Sequence, residues 1–132
     1  MDDSSWQSVR EIEKVVNEAQ SNLDKGAKFD TKWVTYLDTC HSLKVDKYQY
    51  DVCFLSKVTQ LDNGRNHDLG KFSQFSENEE YMDYTNGASC PNGVRRRTRV
   101  LLKCSNQTQL AGFEETSMCE YQTTFENPLS CR

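Results

Sequence analysis

The sequence predicts a mainly β fold, an antiparallel sandwich or barrel held by disulfides and preceded by one α-helix. Three observations support this fold class. Short segments that alternate apolar and polar residues begin near Phe29 and recur about every 8–12 residues, with turn signals between them. Six Cys lie between positions 40 and 131. Residues 4–25 instead place apolar side chains at steps of three and four, the spacing of a helix.

The predicted helix covers residues 4–25, where Ser4 or Ser5 can cap the start and Gly26 can end it. Its apolar stripe consists of Trp6, Val9, Ile12, Val16, Ala19 and Leu23. This stripe could pack on its own domain. The helix lacks Cys and precedes the Cys-rich part, which favours the end of a longer coiled coil. We therefore expect two regions, an N-terminal helix at residues 1–28 and a β domain at residues 29–132.

The predicted strands follow residue 28 and are separated by Gly-containing turns such as Asn63-Gly64 and Asn86-Gly87. The segment 97–104 is the strongest of them, because three apolar residues stand together at its centre. The predicted strands are residues 47–53, 54–60, 69–75, 81–84, 97–104 and 117–125.

Composition and charge argue against two classes of protein. Hydrophobic residues make up 36% of the chain and the mean hydropathy is −0.83. No apolar run approaches the roughly 18–20 residues that cross a bilayer, so we expect no membrane span. The net charge is −4, whereas proteins that bind nucleic acids usually carry a basic excess, so we expect no nucleic-acid partner.

The cysteines indicate an oxidising compartment. No two Cys have the CxxC spacing of a zinc or redox motif, and His41 and His67 are the only histidines, so we expect no metal and no cofactor. An even number of Cys without such motifs favours three disulfides, although the count alone leaves their pairing open. Asn106-Gln107-Thr108 is a glycosylation sequon and fits the same compartment, which makes Asn106 a possible glycosylation site.

The sequence contains no recognisable catalytic motif, so we expect no catalytic residues and no enzyme activity. It lacks a nucleophile elbow, a Gly-rich phosphate loop and a zinc-protease helix. The pairs Glu79-Glu80 and Glu114-Glu115 are adjacent in sequence, and neighbours on a strand point to opposite faces, so neither pair makes a glycosidase dyad. The basic run at residues 95–99 is typical of a solvated turn, an anion site, or a turn that aims one arginine into a cleft.

Taken together, several short segments resemble the mannose 6-phosphate receptor homology (MRH) domain, a lectin family. The resemblance extends over about residues 36–132, and every segment occurs in the family's order. The segments are Tyr48–Cys53, Val58–Gln60, Leu69–Phe72, Met82–Tyr84, Asn86-Gly87, Cys90–Gly93, Arg99–Cys104, Glu115–Tyr121 and Pro128–Cys131. Within the family the chain is similar to the β subunits of glucosidase II, in the stretch ETSMCEY and in the turn before RVLLKC.

The resemblance implies a flattened barrel of two antiparallel sheets with three disulfides. The implied pairs are Cys40–Cys53, Cys90–Cys119 and Cys104–Cys131. It also implies that the family's four sugar-binding positions fall on Gln60, Arg96, Glu115 and Tyr121. Arg96 matches because it lies six residues after Cys90 and eight before Cys104, and Glu115 because it lies four before Cys119.

These four side chains suit a sugar with adjacent hydroxyl groups. Gln60 offers donors and an acceptor, and Arg96 offers a rigid fork of donors. Glu115 can accept from two neighbouring hydroxyls, and Tyr121 can donate or accept through its phenol. Charged partners strengthen such hydrogen bonds. The set is therefore suited to mannose, whose axial 2-hydroxyl distinguishes it from glucose.

The resemblance implies a non-catalytic lectin domain that binds mannose-terminated N-glycans in the lumen of the endoplasmic reticulum. Its implied partner is the catalytic α subunit of glucosidase II, contacted through regions outside this chain, which would remove glucose from the glycoprotein. Three alternatives remain at this point. One is a phosphate-sensing domain of the mannose 6-phosphate receptor type, and another is a glycan-recognition domain like that of the phosphotransferase γ subunit. The third is a disulfide-stabilised structural domain without a ligand.

Overall fold

The computed structural model describes residues 31–131, which fold into one eight-stranded sheet flanked by two short 3-10 helices. The helices are η1 at Thr31–Tyr36 and η2 at Pro128–Ser130. The strands are β1 Cys40–Val45, β2 Tyr48–Cys53, β3 Lys57–Asp62, β4 Arg65–Phe75, β5 Tyr81–Thr85, β6 Arg97–Cys104, β7 Gln109–Ser117 and β8 Glu120–Asn127. The predicted helix at residues 4–25 and the predicted boundary after residue 28 lie outside the described residues.

The strands follow one another around the sheet in the order β1-β2-β3-β4-β5-β6-β8-β7. Every neighbouring pair is antiparallel except β6 and β8, which run parallel because β7 lies beyond β8. The end strands β1 and β7 contact each other, so the sheet is a nearly closed barrel. The prediction of a mainly β barrel is confirmed, and hydrogen bonding joins its strands into one continuous sheet rather than two.

Two strands differ from the sequence-based assignment. β1 was absent from it, because this end strand has alternating half-buried and exposed residues but few apolar ones. Its hairpin to β2 turns at Asp46, whose φ is 57°, a conformation that Asp tolerates better than most residues. The predicted strand at residues 117–125 is in fact the end of β7, a turn at Cys119 (φ 65°) and most of β8.

The core fills the barrel with aromatic and branched side chains. Trp33 is 1% exposed and stacks between Phe54 and Phe75, with ring centroids 5.6 Å from each. η1 therefore closes one end of the barrel with its only buried residue. Burying each such side chain contributes about 1.5–3 kcal/mol to folding. The most buried members are Trp33, Val52, Phe54, Val58, Leu69, Met82, Tyr84, Val100 and Phe125.

Three disulfides tie the ends of the strands together. Cys40–Cys53 closes the β1–β2 hairpin, Cys104–Cys131 ties the end of β6 to the chain after η2, and Cys90–Cys119 joins the loop before β6 to the β7–β8 turn. These are the pairs that the resemblance implies, and the described residues contain no free Cys. Within the described part of the chain, no helix is long and apolar enough to cross a membrane.

Candidate functional site

Four elements bring the predicted site residues to one end of the barrel. Gln60 lies in β3, Arg96 immediately before β6, Glu115 in β7 and Tyr121 near the start of β8. Glu115 and Tyr121 are directly opposite each other in the β7–β8 ladder, and Tyr121 is opposite Thr98 in the β6–β8 ladder. The Cys90–Cys119 disulfide joins the two loops that flank Arg96 and Tyr121, which fixes the spacing of this end.

Arg96 carries the least satisfied polar group of the site. Its Nη1 donates a hydrogen bond of 3.1 Å to the carbonyl of Ser89. Its Nε is buried and has no hydrogen-bond partner, and it is the one buried side-chain nitrogen or oxygen in this condition among the described residues. Leaving such a donor without a partner costs about 1–3 kcal/mol. The guanidinium is thus held by Ser89 and lies beside the Tyr121 phenol, while its Nε is enclosed by the protein.

Tyr121 lies between the two charged groups of the site. Its side chain is largely buried, and burial raises the pKa of its phenol above the ordinary value. The guanidinium of Arg96 lowers that pKa, and the carboxylate of Glu115 raises it. Both charged side chains therefore lie close enough to act on one hydroxyl group. Glu115 is itself exposed and accepts a 3.3 Å hydrogen bond from the backbone N–H of Cys119, which holds it beside the turn.

Gln60 joins this group through Tyr50, a residue that the sequence reasoning did not single out. The Nε2 of Gln60 donates a 3.1 Å hydrogen bond to the Tyr50 hydroxyl, and the two residues are opposite each other in the β2–β3 ladder. Burial raises the pKa of Tyr50, the hydrogen bond from Gln60 lowers it, and Glu115 is among the charges that raise it. The alternation of aromatic and polar residues at 48–53 was the available signal, because it places Tyr50 on the inner face.

An aromatic stack supports the site from the barrel side. The rings of Tyr50 and Phe113 are stacked with centroids 3.8 Å apart and planes 9° from parallel. Phe113 also contacts Tyr121, with centroids 6.3 Å apart. All three rings are about 7% exposed. The hydroxyl groups of Tyr50 and Tyr121 are therefore held in place by packing, so the geometry of the site does not depend on a bound ligand.

Two other arginines of the basic run, Arg97 and Arg99, are already paired on the outside of the barrel. Arg97 forms an ion pair with Glu120, and Arg99 forms one of 2.9 Å with Asp83. Arg99 also covers the ring of Tyr81 at 3.9 Å. A polar groove follows this outer surface and is lined by Asp83, Thr85, Arg97, Arg99, Thr116, Glu120 and Gln122, among others. Only Arg96 of residues 95–97 is partly buried, which agrees with the choice of this arginine by spacing.

The described residues contain no group of three or more His, Cys, Asp or Glu side chains that could hold a metal ion. Both Glu114 and Glu115 are exposed, and a β-bulge follows Glu115 in the β7–β8 ladder. The site thus combines a carboxylate, a guanidinium, an amide and two phenols on a rigid base. Such a set can bind hydroxyl groups by hydrogen bonds in both directions.

Comparison with known proteins places this chain in a family. A family model described as glucosidase II beta subunit-like protein matches residues 1–132. The chain belongs to this family. It is 29% identical over 129 residues to the glucosidase 2 subunit beta of Oryza sativa subsp. indica, a match that covers 98% of this chain and 21% of the relative. The chain therefore spans about a fifth of the length of that curated relative.

Solved MRH domains share the barrel. The crystal structure of the MRH domain of glucosidase II beta bound to mannose is 26% identical, with a TM-score of 0.64, and the match covers 74% of this chain and 98% of that one. The solution structure of the MRH domain of Yos9 complexed with alpha3,alpha6-Man5 is 15% identical, with a TM-score of 0.61, over 99% of this chain and 93% of that one. The second likeness concerns the fold alone, and both support an MRH barrel.

Proposed function

We propose that this MRH domain is a mannose-binding lectin whose site consists of Gln60, Arg96, Glu115 and Tyr121. One observation carries the proposal: Glu115 lies opposite Tyr121, Arg96 acts on the same phenol, and Gln60 is joined to this group through Tyr50 and Phe113. The guanidinium of Arg96 can donate to a hydroxyl group of a sugar. Glu115 accepts from the neighbouring hydroxyls, so the stereochemistry of adjacent hydroxyls decides which sugar binds.

The related structures support the choice of sugar. The glucosidase II beta MRH domain with the same barrel is described as bound to mannose. In this chain the donors and acceptors lie on the four side chains that the family resemblance implies. A phosphorylated mannose would need further cationic groups beside the sugar. Arg97 and Arg99 are each held in an ion pair on the outer face, and Arg95 donates to the carbonyl of Gly87.

We further propose that the domain recognises mannose on N-glycans in the lumen of the endoplasmic reticulum and presents the glycoprotein to a separate catalytic α subunit. The family supports this role, and the three disulfides are consistent with an oxidising compartment. The substrate's glucose would be removed by that catalytic partner. The contacts with that subunit would lie in the longer protein.

A glycan array at fixed pH tests the lectin proposal. We expect the chain to bind glycans with terminal mannose and to ignore those that end in glucose or galactose. Preferential binding of phosphorylated mannose would replace the proposal with a receptor-type function. No binding to any glycan would leave a disulfide-stabilised structural domain and contradict the proposal.

The role with the catalytic subunit has its own test. The complete β subunit with Arg96→Lys should still assemble with the α subunit, because Arg96 lies in the sugar site. Glucose removal from a mannose-rich N-glycan should then slow markedly, while hydrolysis of a small aryl glucoside should stay within about twofold. Equal slowing of both reactions would contradict a role in presenting the glycan.

A further inference from the structure

His67 lies beside Gln60 at the same end of the barrel. The two residues are directly opposite each other in the β3–β4 ladder. Opposed residues of an antiparallel pair have Cβ atoms about 4.5–5.5 Å apart on one face of the sheet. Val58, two residues before Gln60 on β3, is 0% exposed and faces the core. Because side chains alternate along a strand, Gln60 faces the same inner side, and so does His67 opposite it.

The order of elements around the barrel places His67 between Gln60 and Arg96. β2, β3 and β4 carry Tyr50, Gln60 and His67 side by side. The segment 86–89 comes next, because the N–H of Ala88 donates to the carbonyl of Asp68 at 2.8 Å. The N–H of Arg96 then donates to the carbonyl of Ala88 at 3.0 Å. His67 therefore occupies the part of the rim that separates the amide of Gln60 from the guanidinium.

The imidazole of His67 is available to a ligand. It is half-buried, and no hydrogen bond, ion pair or ring contact engages it in the part of the chain that the structure describes. A neutral imidazole presents one donor and one acceptor. A hydroxyl group of a sugar can satisfy either of them. The other polar residues at this end of the barrel already have a partner within the protein or carry a charge, so His67 is the least engaged of them.

We propose that His67 is a fifth sugar-contacting residue, whose imidazole forms a hydrogen bond with a mannose hydroxyl between those bound by Gln60 and Arg96. The inference rests on the proposed mannose-binding function and adds a residue that determines which hydroxyl pattern is accepted. Gln60 and His67 then hold one edge of the sugar from adjacent strands. Arg96, Glu115 and Tyr121 hold the rest from the opposite side of the rim.

Titration of the chain with mannose, followed by NMR, tests this contact with two variants of one strand. His67→Ala should weaken mannose binding about tenfold, the change expected for one lost hydrogen bond in a partly closed site. Asn66→Ala is the matched control, since Asn66 is the exposed neighbour on the other face of β4. We expect it to bind within about twofold of the unchanged chain, the range of a surface substitution away from the site.

Titration with a series of deoxymannoses distinguishes a sugar contact by His67 from a purely structural role of this residue. Removing the hydroxyl that His67 contacts should weaken binding to the unchanged chain and have little further effect on His67→Ala. His67→Gln, which keeps a donor and an acceptor, should recover part of the affinity, and it also serves if His67→Ala fails to fold. Mannose affinity within twofold in His67→Ala, or equal losses for every deoxymannose, overturns the inference alone. No mannose binding by the unchanged chain overturns the proposed function together with it.

Discussion

Arg96 differs from Arg97 and Arg99 because it lies just before β6 rather than on the strand, and from Arg95 because it is partly buried. Within β6, Arg97 and Arg99 alternate with the buried Thr98 and so face outward to their acidic partners. Arg95 donates to the carbonyl of Gly87 at 3.2 Å. The run therefore contains arginines with different tasks, although the sequence presents them as one charged patch.

This difference predicts unequal effects of one conservative change. Arg96→Lys should remove most mannose binding, because an ammonium cannot reproduce a planar fork of donors. Arg95→Lys and Arg97→Lys should change the affinity by less than about twofold, as expected away from the sugar. All three variants should keep a cooperative thermal transition, which calorimetry can establish beside the binding titration. Equal weakening by all three would identify the run as a general anion-attracting surface.

Gly87 sets the position of Arg96 through the close backbone contacts around it. A Cβ at this buried glycine would lie 2.6 Å from the carbonyl oxygen of Asp68 and 2.8 Å from that of Arg96. The N–H of Gly87 also donates to the Arg96 carbonyl at 2.8 Å. Backbone therefore surrounds the position on several sides, and no flexible side chain can move away to make room. Only glycine lets the segment 86–89 pass between β4 and the start of β6.

We therefore expect Gly87→Ala to disturb the site as well as the fold. The added methyl should lower the unfolding free energy by about 1–3 kcal/mol, as overpacking does, and should weaken mannose binding because Arg96 must shift. Gly93→Ala is the comparison: its φ of +84° strains an alanine, but no atom lies within 4 Å of the added Cβ, so it should lower stability and leave mannose affinity unchanged. Chemical denaturation and mannose titration of both variants measure the two effects. Unchanged mannose affinity in a folded Gly87→Ala variant would show that this glycine does not position Arg96.

The loop between β6 and β7 carries the sequon at Asn106, and all three of its residues are exposed. It lies at the far end of the barrel from the site. Tyr121 is near the start of β8, whereas Cys104 at the end of β6 pairs with Asn127. Tyr121 and Asn127 are six steps apart along β8, which corresponds to about 20 Å. A glycan on Asn106 would therefore leave the candidate site accessible.

We predict that Asn106 is glycosylated when the chain enters the endoplasmic reticulum of a eukaryotic cell. Intact-mass measurement before and after enzymatic removal of N-glycans should show one glycan. Asn106→Gln and Thr108→Ala should lack it, and Thr108→Ser should retain it, because the sequon accepts either hydroxyl residue. A glycan that persists in Asn106→Gln, or its absence from the natively folded chain, would refute the prediction.

The sequence allowed the barrel and the four polar positions to be predicted, but for different reasons. The strand at 97–104 was evident because its apolar residues are contiguous, and it is β6 in the structure. The four positions came from the family resemblance, in which Cys spacing selected Arg96 and Glu115, since a lone Gln, Arg, Glu or Tyr carries no signal of its own. The sequence did not single out Tyr50 or the proposed contact of His67, because both depend on which strands are neighbours. That information resides in the strand register and not in local sequence.

The buried tyrosine hydroxyls make the stability of the folded protein depend on pH in the alkaline range. Tyr84 is 0% exposed, its hydroxyl donates to the carbonyl of Cys53, and burial raises its pKa above the ordinary value of 10.0. Burial also raises the pKa of Tyr50 and Tyr121. Below pH 10 these phenols are protonated in the folded and the unfolded chain alike. Above pH 10 the unfolded chain releases these protons while the folded chain still holds them. The stabilisation that the buried phenols provide is therefore lost as the pH rises.

The free energy of unfolding should therefore fall as the pH rises above 10, the ordinary pKa of these tyrosines. Tyr84 alone should contribute a slope of about 1.4 kcal/mol per pH unit in this range. Urea denaturation between about pH 8 and pH 11.5 measures the slope. Tyr84→Phe should be less stable at neutral pH, since its partners lose a hydrogen bond, but should have a shallower slope. A slope unchanged by this substitution would contradict the assignment to Tyr84.

The proposed site at the end of the barrel recognises mannose by the arrangement of the sugar's hydroxyl groups. It consists of Gln60, Arg96, Glu115 and Tyr121. Parallel NMR titrations of the chain with mannose and with glucose test it most directly, because the two sugars differ only at the 2-hydroxyl. We expect saturable binding of mannose with a Kd of about 1 mM, since few atoms are buried. The resonances that shift should be those of the four residues and their neighbours, and glucose should cause no comparable shifts. Equal affinity for both sugars, or shifts confined to another part of the barrel, would contradict the account.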